Sequence, residues 1–220
     1  MPRNKYPEET RQKILDAATK LFVEKGFEGT TVLDIIGETG GLTRGAFYHH
    51  FKSKDDVLMA VLDRYWQQND PFGDIASIQA ENGLERLKKV FTLAVNRNVA
   101  SESNKVMTNI ALDTLTSPRF FYEHFKGNLE TVRFIQPIIE AGMADGSIPP
   151  GNAKVLAELI MVLLNFWFIP QIFPGSAEDI FTRADIAERI FDMLGIPILT
   201  DEMGEAFAST IGLEMPEDMK

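Results

Sequence analysis

Thr30-Thr31-Val32-Leu33-Asp34-Ile35-Ile36-Gly37-Glu38-Thr39-Gly40-Gly41-Leu42-Thr43-Arg44-Gly45-Ala46-Phe47-Tyr48-His49-His50-Phe51-Lys52-Ser53-Lys54 decides how this chain is read. Thr31 has the form of a helix N-cap. Its hydroxyl can accept from a free N–H of the first turn, and Asp34 three residues on completes a capping box. Val32, Ile35 and Ile36 supply an apolar face. Gly40 and Gly41 end that helix, because glycine accepts the left-handed backbone of a helix C-terminus. Leu42 then plugs the core, and Thr43 caps a second helix. In it, Phe47 and Phe51 are four apart and share one inward face. Arg44 and Tyr48 share another face, and Gly45, His49 and Lys52 a third. The outward groups are cations, hydrogen-bond donors and a flat aromatic. An α-helix fits the major groove of B-DNA, and a short helix held across a turn from a support helix is the helix-turn-helix way of presenting it.

Upstream, Glu8 to Lys25 reads as a first helix, with Ile14, Ala18, Leu21 and Phe22 at helical spacing and Gly26 as its stop. It covers the back of the pair. Downstream, Ser53 with Asp56 forms a second capping box and opens a helix over 54–68. Its stripe is Val57, Leu58, Val61, Leu62 and Tyr65. This helix is the expected lever between the first part of the chain and the rest. Residues 1–7 read as a loose basic arm, of a kind that can enter a minor groove or simply be solvated.

The run from Arg11 to Leu62 resembles the DNA-binding domain of the TetR family of transcriptional regulators. The resemblance is carried by Ile14-Leu15-Asp16-Ala17-Ala18, Leu21-Phe22, Lys25-Gly26-Phe27, Thr30-Thr31, Asp34-Ile35, Gly45-Ala46-Phe47-Tyr48-His49-His50-Phe51 and Lys52-Ser53-Lys54. One feature departs from it: the turn Gly40-Gly41-Leu42 is one residue longer than the usual single glycine followed by an apolar residue. The resemblance implies that Tyr48 bonds a backbone phosphate and that Lys54 holds another. It places His49 and His50 at variable positions facing the groove. From geometry, Arg44 at the start of the second helix can reach guanine O6 and N7, and Thr43 combines capping with a DNA contact. Thr31 caps a helix whose N-terminus points at phosphate. The expected DNA-binding set is thus Thr31, Thr43, Arg44, Gly45, Tyr48, His49, His50, Lys52 and Lys54. The alternatives are a core role for Tyr48, a solvated Arg44, and a metal pair at His49-His50. The last is disfavoured because adjacent helical residues diverge by about 100°.

Composition supports a division of labour. The net charge is −10 and hydrophobic residues make up 45%, with a pI near 4.8. Such acidity is a poor starting point for DNA binding, but it is unevenly placed. Residues 1–66 hold ten basic and ten acidic side chains, whereas 67–220 hold twelve against twenty-two. Phosphate contact then rests on Arg3, Lys5, Arg11 and Lys13 and on Arg44, Lys52 and Lys54. There is no cysteine, which excludes disulfides and thiolate chemistry. No GxxxxGK, HExxH or GxSxG pattern is present, so no enzyme is expected, and no metal or cofactor. The N-terminus lacks an apolar leader. The longest apolar run, Leu159 to Pro170, is too short for the roughly twenty residues of a membrane span. The expected setting is cytoplasmic, with no membrane.

The expected fold class is all-α: an N-terminal three-helix helix-turn-helix DNA-binding domain plus a C-terminal helical ligand-binding and dimerisation domain. The expected domains are 1–66 with the connecting helix 54–68, then 67–199, then an acidic tail 200–220 holding one short helix around Met203, Phe207 and Ile211. In the second part, helices are expected over 84–98, 105–115 and from Pro118 to about Ala144, with Gly142 in the turn that follows. A nearly all-apolar helix, 153–169, is expected to be buried on several sides. A further helix covers 177–195. The resemblance implies that these last two pack against their copies in a homodimer. It also implies a double-stranded operator, repression, and a small-molecule effector held between the helices. Pockets of that kind are mostly apolar, and the candidate liners are Trp66, Phe91, Met107, Phe125, Phe168 and Asn165, the polar side chain in the apolar run. Plain core packing is the alternative for each aromatic. The rival reading for the whole chain is a helical small-molecule-binding protein without sequence-specific DNA binding.

Overall fold

The computed structural model describes residues 7–69, 73, 75–210 and 212–213. Arg3 and Lys5 of the expected arm, and Ile211, lie outside the described residues. Ten α-helices form among those described, and the chain divides into two compact units, Met1–Asn69 and Asp70–Lys220.

The first unit contains α1 (Pro7–Lys25), α2 (Val32–Glu38), α3 (Arg44–His50) and α4 (Lys54–Gln68). Its core is the apolar stripe of α1 (Ile14, Leu15, Ala18, Leu21, Phe22) against Ile35, Phe47, Phe51, Val57, Leu58 and Val61, all buried. Polar clamps hold the helices in place. Arg64 of α4 reaches α1, donating to Asp16 at 2.6 Å, to Thr19 Oγ1 at 2.8 Å and to the Leu15 carbonyl at 3.1 Å. Lys20 of α1 pairs with Glu38 at the end of α2 at 2.6 Å. Buried Thr30 donates its hydroxyl to the Gly26 carbonyl at 2.8 Å, closing the turn after α1.

The second unit contains α5 (Gly83–Val99), α6 (Glu102–Thr114), α7 (Pro118–Asp145), α8 (Ala153–Val162), α9 (Ala177–Met193) and α10 (Asp201–Thr210). The long α7 packs against α5 and α8, and α10 packs against α5 and α6. Leu87, Val90, Ile135, Ile139, Ile160, Phe191 and Ile198 belong to its core. The end of α7 caps the start of α5: Asp145 accepts from the Gly83 N–H at 2.7 Å, and Ser147 Oγ accepts from the Leu84 N–H at 3.1 Å. Hydrogen bonds from Ser147 and from Gly83 hold the Asp145 carboxyl below the ordinary carboxylate range.

Three expectations for this unit are corrected. Gly142 is not in the turn but inside α7 and buried, where any side chain would collide with Ile148. The helix expected over 153–169 stops at Val162 and continues as one π-helical turn, Leu163–Trp167. It is not buried on several sides, since Val155, Leu159 and Val162 are exposed. The short helix expected around Met203 and Phe207 forms as α10, and its Met203 enters the main core. Its acidic residues lie on the outside of a helix whose apolar side is covered.

Candidate nucleic-acid interface

The interface is built from two caps and two phenylalanines. Thr31 Oγ1 accepts from the Asp34 N–H at 3.1 Å, and Asp34 accepts from the Thr31 N–H at 2.8 Å. This reciprocal pair fixes the entry to α2 and satisfies two N–H groups that the helix leaves open. The turn between α2 and α3 is made by backbone conformation. Gly40 and Gly41 take φ of +72° and +142°, which a residue with a Cβ adopts only under strain. Thr43 Oγ1 then accepts from the Ala46 N–H at 3.2 Å and starts α3. Phe47, fully enclosed, and Phe51 anchor the inner side of α3, with ring centroids 6.2 Å apart.

With α3 pinned on that side, the expected set separates by position. Thr31, Thr43, Arg44, Gly45, Tyr48, His49 and Lys52 are exposed. Tyr48 stands edge-on to Phe47 and leaves about half its surface free, at 54%, so the core alternative for it fails. A Cβ at Gly45 would meet Thr43 Oγ1 only at ordinary contact distance, 4.0 Å. His50 and Lys54 are different. His50 is half-buried and its Nε2 is enclosed without a partner. It follows Phe47 by three residues and so turns toward the anchored side, which corrects its expected groove-facing placement. Burial, with a smaller push from His49, holds its pKa below the ordinary histidine value. Lys54 donates to the Phe27 carbonyl at 2.7 Å and lies 4.1 Å above the Phe27 ring. Its ammonium is engaged in bracing the turn after α1.

Leu33 lies outside the expected set, yet it is 53% exposed in the same helical turn as the Thr31 cap. Its spacing is the available sign: two residues from Ile35, it cannot share the buried face of α2.

Comparison with known proteins agrees with this geometry. The model of bacterial regulatory proteins of the tetR family matches residues 14–61. The HTH-type transcriptional repressor KstR2 of Rhodococcus jostii (strain RHA1) is 31% identical over 140 residues, covering 62% of this chain and 67% of that protein. This chain belongs to the TetR family. The HTH-type transcriptional regulator SrpR of Pseudomonas putida is 54% identical over 55 residues, a quarter of each protein. A crystal structure of a TetR-family transcriptional regulator from Pectobacterium atrosepticum shares the fold, with a TM-score of 0.63 at 24% identity over 88% of this chain and 97% of that one. A TetR-family chain is a DNA-binding transcriptional regulator and not an enzyme. Among the described residues no group of three or more His, Asp or Glu is placed to hold a metal. None of the described helices is long and apolar enough to cross a membrane.

The expected effector liners of this TetR-family chain do not converge on one space. Phe91 and Phe168 are buried in the main core of the second unit, where Phe168 meets Phe207 edge-on at 5.5 Å. Met107 is buried on α6. Phe125 joins a separate group of rings with Phe121 and Phe166. Asn165 spends its amide N–H on the Met161 carbonyl one turn back, at 3.0 Å. Trp66, half-buried, belongs to the first unit. An open surface recess lies elsewhere, between Gln136, Glu140 and Met143 of α7 and Asn152 to Lys154, and touches none of the six.

Proposed function

We propose that this protein binds a palindromic operator as a homodimer, represses transcription there, and is released by a small, largely apolar effector. The observation that carries the reading is the outer side of α3. Arg44, Gly45, Tyr48 and His49 are exposed together on a helix held from behind by Phe47 and Phe51. Thr31, Thr43 and Lys52 flank it for phosphate contact, which positions a protein while base contacts specify.

The homodimer is supported by two unpartnered apolar stripes. Val155, Leu159 and Val162 follow one another by four and three residues along α8 and are 56%, 37% and 42% exposed. On α9, Ile186 and Met193 are 40% and 80% exposed, with half-buried Ile190 between them. Apolar rows of this kind mark interaction surfaces, and self-association through α8 and α9 covers both. Two copies then present two recognition helices about 34–36 Å apart, one turn of DNA. An effector that prefers another spacing weakens DNA binding by its differential affinity. Repression is supported by the relative named a repressor.

The test is a gel shift on the DNA flanking the protein's own coding region, with sedimentation analysis alongside. A discrete shifted band and a two-copy mass are expected. Arg44→Ala should weaken binding by about 1–3 kcal/mol and relax one base position, with unchanged thermal stability. A single-copy mass, or Arg44→Ala binding every operator variant as tightly as the wild type does, overturns the reading. Absence of any shifted band favours the small-molecule binder without DNA activity.

A further inference from the structure

His124 is a half-buried histidine that the DNA-binding reading does not use. It lies in the early part of α7, and its Nε2 is enclosed with no hydrogen-bond partner. An unsatisfied buried nitrogen costs about 1–3 kcal/mol, and folded proteins retain few of them without a reason. Its surroundings are aromatic. The Phe166 ring meets it edge-on, centroids 5.6 Å apart. Phe166 in turn contacts Phe125 at 5.4 Å and Phe121 at 6.0 Å, and Phe121 stacks on Phe125 with only 18° between their planes.

Two further features bear on what such a group of rings can hold. Phe166 is carried by the π-helical turn Leu163–Trp167, and single π turns inside helices occur often at functional sites. The group also has an outer side, because Phe121 is 37% exposed while Phe166 is only 7% exposed. The site is electrically plain. Burial alone lowers the His124 pKa to about 4, with no contribution from a neighbouring charge. Among the described residues no charged side chain is recorded in contact with the His124 ring or the three phenylalanine rings. A neutral imidazole offers one donor or one acceptor at Nε2 according to its tautomer.

We propose that His124, Phe121, Phe125 and Phe166 form a binding site for a neutral aromatic molecule with one hydrogen-bonding group, a phenol being the simplest. The rings take the planar body, entering from the Phe121 side, and Nε2 takes the hydroxyl. This rests on the effector reading above and names the chemistry of the effector.

The probes are p-cresol and toluene, which differ by the hydroxyl, titrated calorimetrically into the full-length protein and into His124→Phe. The wild type should bind p-cresol about tenfold more tightly than toluene, the worth of one net hydrogen bond. His124→Phe should bind the two equally. The chain has three histidines, so imidazole NMR signals give a second measurement that does not depend on the variant folding. The His124 signals should move with p-cresol and much less with toluene. No binding of p-cresol, no preference for it, or a preference that survives in His124→Phe overturns the site, as does a His124 signal that ignores p-cresol. A buried water on Nε2 would produce that outcome. Operator gel shifts keep the two readings apart: DNA binding without p-cresol preference overturns only the site, and p-cresol preference without DNA binding overturns only the regulator.

Discussion

Gly40 and Gly41 in the first unit and Gly83 and Gly142 in the second are needed for opposite reasons. The first pair has positive φ and open space where a side chain would go. The second pair carries no such backbone demand. A Cβ on Gly83 would overlap the backbone of Gly142, and one on Gly142 would come within 2.6 Å of Ile148 Cδ1. One pair answers a requirement of its own few residues. In the other, Gly83 answers the backbone of remote Gly142, and Gly142 answers Ile148 on the segment that folds back after α7. The same contrast runs through both units. The DNA-binding unit is specified by caps and turns within a few positions. The second unit is specified by which helices happen to meet.

Deletion of core mass should not separate the units, and this is the largest effect expected. Phe47 and Phe191 are both fully enclosed. Phe47→Ala and Phe191→Ala should each cost about 3–5 kcal/mol in chemical denaturation. A much smaller cost in one of them would mean that its core collapses around the gap, and the contrast would then be one of packing quality as well.

Acid should separate them next. A histidine whose folded pKa is lowered holds its proton more weakly when folded. Its contribution is intact above the unfolded value near 6.5 and is lost as pH falls toward about 4. For His124 that amounts to about 3 kcal/mol by linkage. His124→Phe should therefore flatten the fall in melting temperature between pH 6.5 and 4. The carboxyls of Asp34, Asp145 and Asp179 are also held below their ordinary value, by hydrogen bonds. Their contributions persist above that value and are lost only as pH falls below it, so the two windows can be told apart. An unchanged acid limb in His124→Phe would mean that the imidazole is hydrated in solution.

The glycines give the most direct test, at about 1–3 kcal/mol. Gly142→Ala is expected to destabilise by overpacking, and Gly142→Asn by more, because Asn is larger. At Gly40 the order should reverse. Ala is strained at φ of +72°, whereas Asn enters the left-handed region more easily. If Asn proves worse than Ala at both sites, the turn is limited by space and the opening contrast fails.

The same division decides what could be read from sequence. The capping box at Thr31, the cap at Thr43 and the helix from Lys54 to Gln68 are set by neighbours in the chain. The exposed faces of α3 follow from 100° per residue. That rule also applied to His50, which shares a side with Phe47, and a motif match obscured it. The Lys54 contact with Phe27 spans 27 residues and left no local sign. Gly142 looked like a turn residue because its partner Gly83 is remote. The 201–210 helix showed in the spacing of Met203 and Phe207, but the core that covers its apolar side did not. The π-helical turn had no pattern to announce it, so the aromatic group around His124 did not emerge, although Phe125 stood among the expected liners.

The smallest effect probes the local side of the contrast on its own ground. Thr31→Ala removes the hydroxyl that caps α2 and leaves the backbone N–H that Asp34 also accepts. The loss should be about 1 kcal/mol, and Thr31→Ser should restore most of it. Because the Thr31 hydroxyl is the largest influence lowering the Asp34 carboxyl, Thr31→Ala should also raise that carboxyl toward its ordinary value. A stabilising contribution present above that value should then shrink, giving a slightly flatter acid limb below about pH 4. Chemical denaturation together with carbon NMR of the Asp34 carboxyl measures both quantities. A loss of stability with an unmoved carboxyl would mean that Thr31 acts through packing, not through the reciprocal cap. A moved carboxyl without loss would mean that α2 is held by Ile35 and the Lys20–Glu38 pair, and that even the most legible part of the chain relies on distant contacts.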